Sequence, residues 1–335
     1  MRVGIIAPNY HRDKSGNSVT VRRIARNLQL LGCEVQVFPV EELAGEALLS
    51  KVQAFAPRLL HAFHGYLGGR MARAVAQAMS IPYLITLTGT DIYQTLCDQR
   101  RHDTQLALKD AVRLVAFHTA VKRRLADHCP SLEERTVVIP QGVELPAEAA
   151  TRQEADGFTF LLPAGLRPVK NVLFPLSPLA SLYPQYPRLC YQLVGPVRDT
   201  EYAAKVLDAL EEQRFARYLG EVPHDSMGTI YRGADVVLNC SDFEGGMANS
   251  VLEGMAYGKP VLASDIDGNR SVVKEGVTGL LYRNDAEFRS KAMLLLEDAQ
   301  LRERLGRNAR AMMREKHSPE KEAEAYFALY HSLLS

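Results

Sequence analysis

The chain has 335 residues, 47% hydrophobic and 24% charged, with 40 basic against 39 acidic side chains and a formal net charge of +1. Enough apolar material for two cored domains excludes a disordered chain, and the near-zero charge leaves no electrostatic footprint for nucleic acid. Five scattered cysteines, Cys33, Cys97, Cys129, Cys190 and Cys240, exclude a C-x-x-C site or a disulfide framework and suit reduced thiols in a cytoplasmic protein.

Residues 3–8, an apolar run directly after Met1 and Arg2, are too few for a signal-peptide core and read as a first buried strand. No run approaches the roughly 18 apolar residues of a membrane span. The polar loop that follows holds Ser15, Gly16 and Asn17 ahead of a helix. It is a loop-to-helix anion site, with Ser18 as a plain N-cap the simpler reading, and it lacks the G-x-G-x-x-G fingerprint of a nicotinamide site. The helix over 19–31 sets Val21, Ile24, Ala25, Leu28 and Leu31 on one face and Arg22, Arg23 and Arg26 on another, with Gly32 as its stop.

Further apolar runs of strand length recur at 34–38, 59–63, 83–87, 113–117 and 136–139. Their continuous hydrophobicity predicts parallel strands covered on both faces. His61 and His64 fall at the end of the third run without a third ligand nearby, so no metal site is expected. A polar loop with Thr88, Asp91 and Tyr93 follows the fourth. Residues 141–157 turn to Pro, Ala, Glu and Gln, the composition of a linker.

A second series of strands is predicted at 158–162, 189–194, 218–219, 236–239, 260–264 and 280–282. The expected architecture is α/β, two Rossmann-like doubly wound parallel-sheet domains facing across a cleft: 1–150 and 151–317, with a helix 318–335 that can pack back on the first. Ser318 is its N-cap and Pro319 its first residue. The arginines 302, 304, 307, 310 and 314 before it read as a solvated helix face.

The stretch from Asp242 to Ser264 is the most informative. Gly245 and Gly246 let backbone approach a ligand, and a helix starting near Ser250 offers free amides and a positive dipole end. The simpler reading is a capping box, with Ser250 as N-cap and Glu253 reaching back to it. After the first strand of this half, Arg167 and Lys170 supply two cations suited to a phosphate leaving group.

Taken in order, Ser15-Gly16-Asn17, Thr88-Gly-Thr-Asp91, Ile139-Pro-Gln-Gly-Val143, Gly165-Leu-Arg-Pro-Val-Lys170, Leu219-Gly-Glu-Val-Pro223 and Glu244-Gly-Gly-Met-Ala-Asn-Ser-Val-Leu-Glu253 resemble the GT-B glycosyltransferases of family 4, the glycosyl transferases group 1. Within it the chain is most similar to the glycosyltransferase 1 domain-containing proteins. The resemblance implies a retaining, metal-independent transfer from a nucleotide-diphosphate sugar, with a UDP-sugar favoured and no cofactor. It implies catalytic roles for Arg167, Lys170 and Glu244, and donor binding by Gly16, Asn17, Val222, Gly245, Gly246, Met247, Ala248, Asn249, Ser250 and Glu253. Glu253 would take the ribose hydroxyls. On the acceptor side stand His64, Thr88, Asp91 and Tyr93, for a sugar, lipid-linked or small-molecule acceptor.

Three departures from the family pattern are visible. Eight residues separate Glu244 from Glu253 where seven are usual, Thr88 stands where a histidine is frequent, and Arg167 and Lys170 are closely spaced. Alternatives on the same fold are an epimerase or hydrolase of nucleotide sugars, a selenosugar-synthase-like enzyme, and a non-catalytic binding subunit. Peripheral membrane contact through the Arg22 and Lys122 clusters is less favoured than solvated helix faces.

Overall fold

The computed structural model describes residues 1–8, 10, 16–147 and 157–335, in two compact units: Met1–Gly142 with His317–Ser335, and Val143–Lys316. In the first, β1 (Arg2–Ala7), β2 (Glu34–Pro39), β3 (Leu59–Phe63), β4 (Tyr83–Thr86), β5 (Arg113–Ala116) and β6 (Thr136–Val138) form a parallel sheet ordered β2-β1-β3-β4-β5-β6. In the second, β7 (Phe158–Pro163), β8 (Leu189–Val194), β9 (Ala216–Tyr218), β10 (Val236–Asn239), β11 (Val261–Ser264) and β12 (Gly279–Tyr282) form another, ordered β12-β11-β10-β7-β8-β9. Every apolar run singled out in the sequence becomes one of these strands.

The connections are helical, as parallel strands require. They are α1 (Gly16–Leu30), α2 (Gly45–Phe55), α3 (Gly69–Met79), α4 (Arg101–Asp110) and α5 (Thr119–His128) in the first unit. The second has α6 (Leu176–Leu182), α7 (Thr200–Glu211), α8 (Met227–Gly233), α9 (Asn249–Ala256), α10 (Asp267–Arg270), α11 (Asp285–Glu297) and α12 (Ala299–Lys316). The last helix, α13 (Pro319–Leu334), belongs to the first unit.

Helices cover both faces of each sheet, which is why the strands are apolar throughout. In β1, Val3, Ile5 and Ala7 pack with Val21, Ile24 and Leu28 of α1, while Ile6 faces the opposite core with Val52 and Val75. The edge strand β2 departs from this pattern: Glu34 and Gln36 are exposed, because an edge meets solvent. The first unit's leading segment ends at Gly142, ahead of residue 150, because Val143 is already buried beside Leu161 and Val194 in the second unit's core. The rest of the expected linker, 148–156, lies outside the described residues.

Helix α13 starts at Ser318, whose Oγ accepts from the Lys321 amide at 3.3 Å, and Pro319 fills its first position. Its buried residues Pro319, Glu322, Ala323, Tyr326 and Tyr330 recur at helical spacing along one face. That face meets α1 through an enclosed ion pair. Arg23 Nε and Nη2 donate to Glu322 Oε2 and Oε1 at 2.8 and 3.1 Å, with side-chain exposures of 4% and 1%. Arg23 is thus no part of a solvated face. Its i, i+4 neighbour is the buried Asn27, so it points inward while Arg26 stays exposed.

Under the same helix His61 is fully buried, its Nδ1 2.6 Å from Tyr330 Oη and its Nε2 2.7 Å from Thr86 Oγ1. Burial lowers the imidazole to about 3. Below an unfolded value near 6.5 the unfolded chain takes up a proton that the folded one refuses, so stability falls with falling pH and is unaffected above. Between pH 6.5 and 5 this amounts to about 2 kcal/mol. Urea unfolding at pH 7.5 and 5 should show that loss, and His61→Gln should remove most of it. Equal pH dependence in both proteins contradicts the assignment.

Candidate active site

Each sheet grows in two directions from one place. In the second unit the chain leaves β7 toward β8 but leaves β10 toward β11, and β7 and β10 lie side by side. Open parallel sheets hold ligands outside the carboxyl ends of their strands at such a switch point. The loop after β7 carries Arg167 and Lys170, and the loop after β10 carries Glu244.

These two loops are tied together. The Asp242 amide donates to Val169 O at 3.0 Å, Asn171 Nδ2 to Asp242 Oδ1 at 3.1 Å, and Lys170 Nζ donates to Glu244 Oε1. Lys170 and Glu244 are largely enclosed, at 17% and 12% side-chain exposure, whereas Arg167 is exposed. Burial alone would raise the Glu244 carboxyl. The Lys170 charge, with hydrogen bonds from Lys170, Ser241 and Asn239, outweighs it and holds the group below the ordinary carboxylate range.

The residues behind Glu244 form a network that the sequence reading did not find. Ser241 Oγ and Asn239 Nδ2 donate to Glu244 Oε1 at 2.7 and 3.3 Å. Both donors are oriented by Asn269, whose Nδ2 contacts Asn239 Oδ1 at 3.0 Å and Ser264 O at 2.9 Å, while Ser264 Oγ donates to Ser241 O at 2.7 Å. Asn269 Oδ1 is buried without a hydrogen-bond partner. The adjacent Gly268 permits this approach, since a Cβ there would stand 2.6 Å from Glu244 Cβ and 2.7 Å from Gly246 O. The missing signal was Gly268-Asn269 in α10, which only the β11 register brings beneath the loop.

The glycine-rich loop ends in α9, which starts at Asn249 with Ala248 as its N-cap. Ser250 therefore lies inside the first turn, and the expected capping box with Ser250 as N-cap does not form. The Val251 and Leu252 amides both bond to Ala248 O, so the turn starts earlier than the S-x-x-E pattern suggests. Met247 and Ala248 are buried, and Gly245, Gly246, Asn249 and Ser250 are half-buried at the positive end of the helix dipole. Glu253 Oε2 accepts from Tyr231 Oη at 2.7 Å, and Tyr231 stacks on Tyr257 at 5.3 Å. Oε1 of Glu253 lies 4.0 Å from His224 Nδ1. Val222 is half-buried against the same core.

In the first unit the switch point lies between β1 and β3. Gly16 and Asn17 open α1 after β1, and Ser15 lies outside the described residues. His64, in a single π-helical turn from His64 to Gly68, takes φ +71° and is buried; its Nδ1 accepts the Tyr66 and Leu67 amides at 3.1 Å and its Nε2 lies 3.0 Å from Thr90 Oγ1. Burial, with help from Arg100, lowers its pKa against the pull of Asp91. Asp91 is fully buried and accepts the Gly65, Thr88, Gly89 and Ile92 amides, so it fastens two loops. Thr88 Oγ1 is buried without a hydrogen-bond partner, and Tyr93 is half-buried under Arg124. Among the described residues no three His, Cys, Asp or Glu side chains gather as metal ligands would.

Residues 148–312, nearly the whole second unit with both loops above, match the family model described as glycosyl transferases group 1. This part of the chain is a glycosyl transferases group 1 domain. The whole chain is 27% identical over 333 residues to glycosyltransferase 1 domain-containing protein 1 of Xenopus tropicalis, covering 95% of this chain and 94% of the relative. Among solved structures, sucrose-phosphate synthase from Thermosynechococcus elongatus shares its GT-B fold with a TM-score of 0.86 at 18% identity, each chain covered to 99%. The Anabaena protein HepE, solved in complex with UDP and glucose, shares it at 0.80 and 18%, covering 99% of this chain and 100% of that one. Asn239, Ser241 and Asn269 back the Glu244 side of the candidate site, and Tyr231 and His224 flank Glu253. No helix among the described residues is long and apolar enough to cross a membrane.

Proposed function

We propose that the enzyme transfers a sugar from UDP-sugar to its acceptor with retention of anomeric configuration and without a metal ion. The observation that carries this reading is the enclosed Lys170 and Glu244 pair, set between the exposed Arg167 and the start of α9. Arg167, Lys170 and the helix dipole offset the negative charge that grows on a departing diphosphate, the task a metal performs elsewhere. Glu244 accepts hydroxyls of the donor sugar, and Glu253, already oriented by Tyr231, accepts those of the ribose.

In the transfer the acceptor oxygen bonds to the anomeric carbon on the face from which the diphosphate leaves. The bond from that carbon to the phosphate oxygen breaks, the diphosphate keeps the electron pair, and the acceptor proton passes to the departing oxygen. No protein nucleophile is needed. HepE, solved with UDP-glucose as well as with UDP, supports the choice of uridine. The five scattered thiols suit a reducing cytoplasm.

A melting screen with UDP, GDP, ADP and UDP-sugars, each with and without EDTA, tests this reading. At 100 times its dissociation constant a ligand adds about 2.7 kcal/mol of apparent stability, a rise of roughly 5–10 °C for a unit of this size. UDP and a UDP-sugar should give the largest rise, unchanged by EDTA. A rise abolished by EDTA, or none with any nucleotide, contradicts the proposal.

A further inference from the structure

We propose that Asn269 is a positioning residue of the donor site: through the Asn239 amide it keeps the local donors on Oε1 of Glu244, leaving Oε2 to accept one hydroxyl of the donor sugar. This rests on the transferase reading for the sugar, but the orientation of the carboxylate stands on its own geometry. Three donors meet on one oxygen. Lys170 Nζ, Ser241 Oγ and Asn239 Nδ2 all donate to Oε1, and among the described residues no donor reaches Oε2. With the Glu244 side chain 12% exposed and Oε1 enclosed by its donors, Oε2 is the oxygen left for a ligand.

Asn269 sets which way the Asn239 amide faces. Its Nδ2 donates to Asn239 Oδ1 at 3.0 Å and the Ser241 amide donates to the same oxygen at 3.2 Å, so the NH2 group of Asn239 is turned to Glu244. The second hydrogen on Asn269 Nδ2 is taken by Ser264, with O at 2.9 Å and Oγ at 3.2 Å. Both asparagines are buried. Turning the Asn269 amide over would set its oxygen against Asn239 Oδ1 and Ser264 O, and turning Asn239 would aim Oδ1 at the carboxylate. Asn269 Oδ1 itself is buried with no hydrogen-bond partner, a cost that packing alone does not justify, since leucine has nearly the same shape without it. Residue 269 therefore acts through its NH2 group.

The test uses the full chain with glutamate carboxyls labelled with carbon-13, the Glu244 signal being assigned from Glu244→Gln. Asn269→Asp keeps the shape and abolishes the NH2 group, and Asn269→Leu does the same without adding charge; should one not fold, the other carries the test. The Glu244 titration midpoint is expected to rise by about 1 pH unit or more in Asn269→Asp and by less in Asn269→Leu, because the Asn239 NH2 group is no longer held on the carboxylate. Calorimetry with UDP, UDP-glucose, UDP-galactose and UDP-N-acetylglucosamine reads the sugar's share, as the ratio of each affinity to that of UDP. The largest ratio found for the native chain should fall about tenfold in either variant, the loss of one hydrogen bond to a charged group. A merely structural Asn269 would lower the melting temperature and move neither reading. An unchanged midpoint, an unchanged ratio, or a native chain that binds UDP but none of the sugar nucleotides more tightly overturns the inference. Failure of UDP itself to bind counts against the transferase reading, and the Glu244 midpoint then decides the positioning role without any ligand.

Discussion

Replacing Lys170 by Ala is expected to lower turnover about 100- to 1,000-fold, the usual loss when one preorganised group facing developing negative charge is removed, or ~3–4 kcal/mol of barrier. The fold should survive, because Lys170 sits in a short turn after β7 and contributes nothing to either apolar core. Glu244 would keep the hydrogen bonds from Ser241 and Asn239 but lose its counter-charge, so its carboxyl should rise toward the ordinary range or above. Two readouts separate this from misfolding: UDP release at saturating donor, and the melting temperature without ligand. Loss of turnover with melting unchanged to within a few degrees is the expected pair. Unchanged turnover removes Lys170 from the chemistry.

Glu322→Ala is expected to cost about 3–5 kcal/mol of stability, because it leaves the Arg23 guanidinium buried and uncompensated beneath α13. The partner change matters more than the pair itself. Replacing both residues, as Arg23→Met with Glu322→Leu, should recover most of the loss, since apolar groups of similar volume avoid the desolvation cost of two charges. Denaturant unfolding of the three proteins forms a double-mutant cycle that reads the coupling directly. A single variant within 1 kcal/mol of the parent would show that Arg23 reaches water when its partner is removed.

The strands were legible because helices bury both faces of each sheet, so that β1 reads Val3-Gly-Ile-Ile-Ala7 without interruption. The glycine-rich loop before a helix was legible because Gly245, Gly246 and the apolar residues after them lie in one local stretch of chain. What stayed hidden depends on distant partners. Arg23 and Glu322 are 299 residues apart, and the pattern of α1 alone assigns Arg23 to solvent. Asn269 of α10 acts on Glu244 only through Asn239 and Ser264, the ends of β10 and β11 brought together by the order of the sheet. Asp91 looked available because it is polar and lies in a loop, yet its oxygens accept amides of that loop and of the loop after β3. Ser250 fitted a capping motif that an earlier helix start displaced.

A calorimetric titration of UDP into the native chain, Lys170→Ala and Glu253→Gln puts the donor site itself to the test. Glu253→Gln keeps an acceptor for Tyr231 but removes the charge that the ribose hydroxyls would meet. Saturable binding by the native chain, weakened about tenfold by each change, is expected from lost charge-assisted hydrogen bonds. No saturable heat with the native chain, or equal affinity in all three proteins, would mean that the loops after β7 and β10 do not hold the nucleotide.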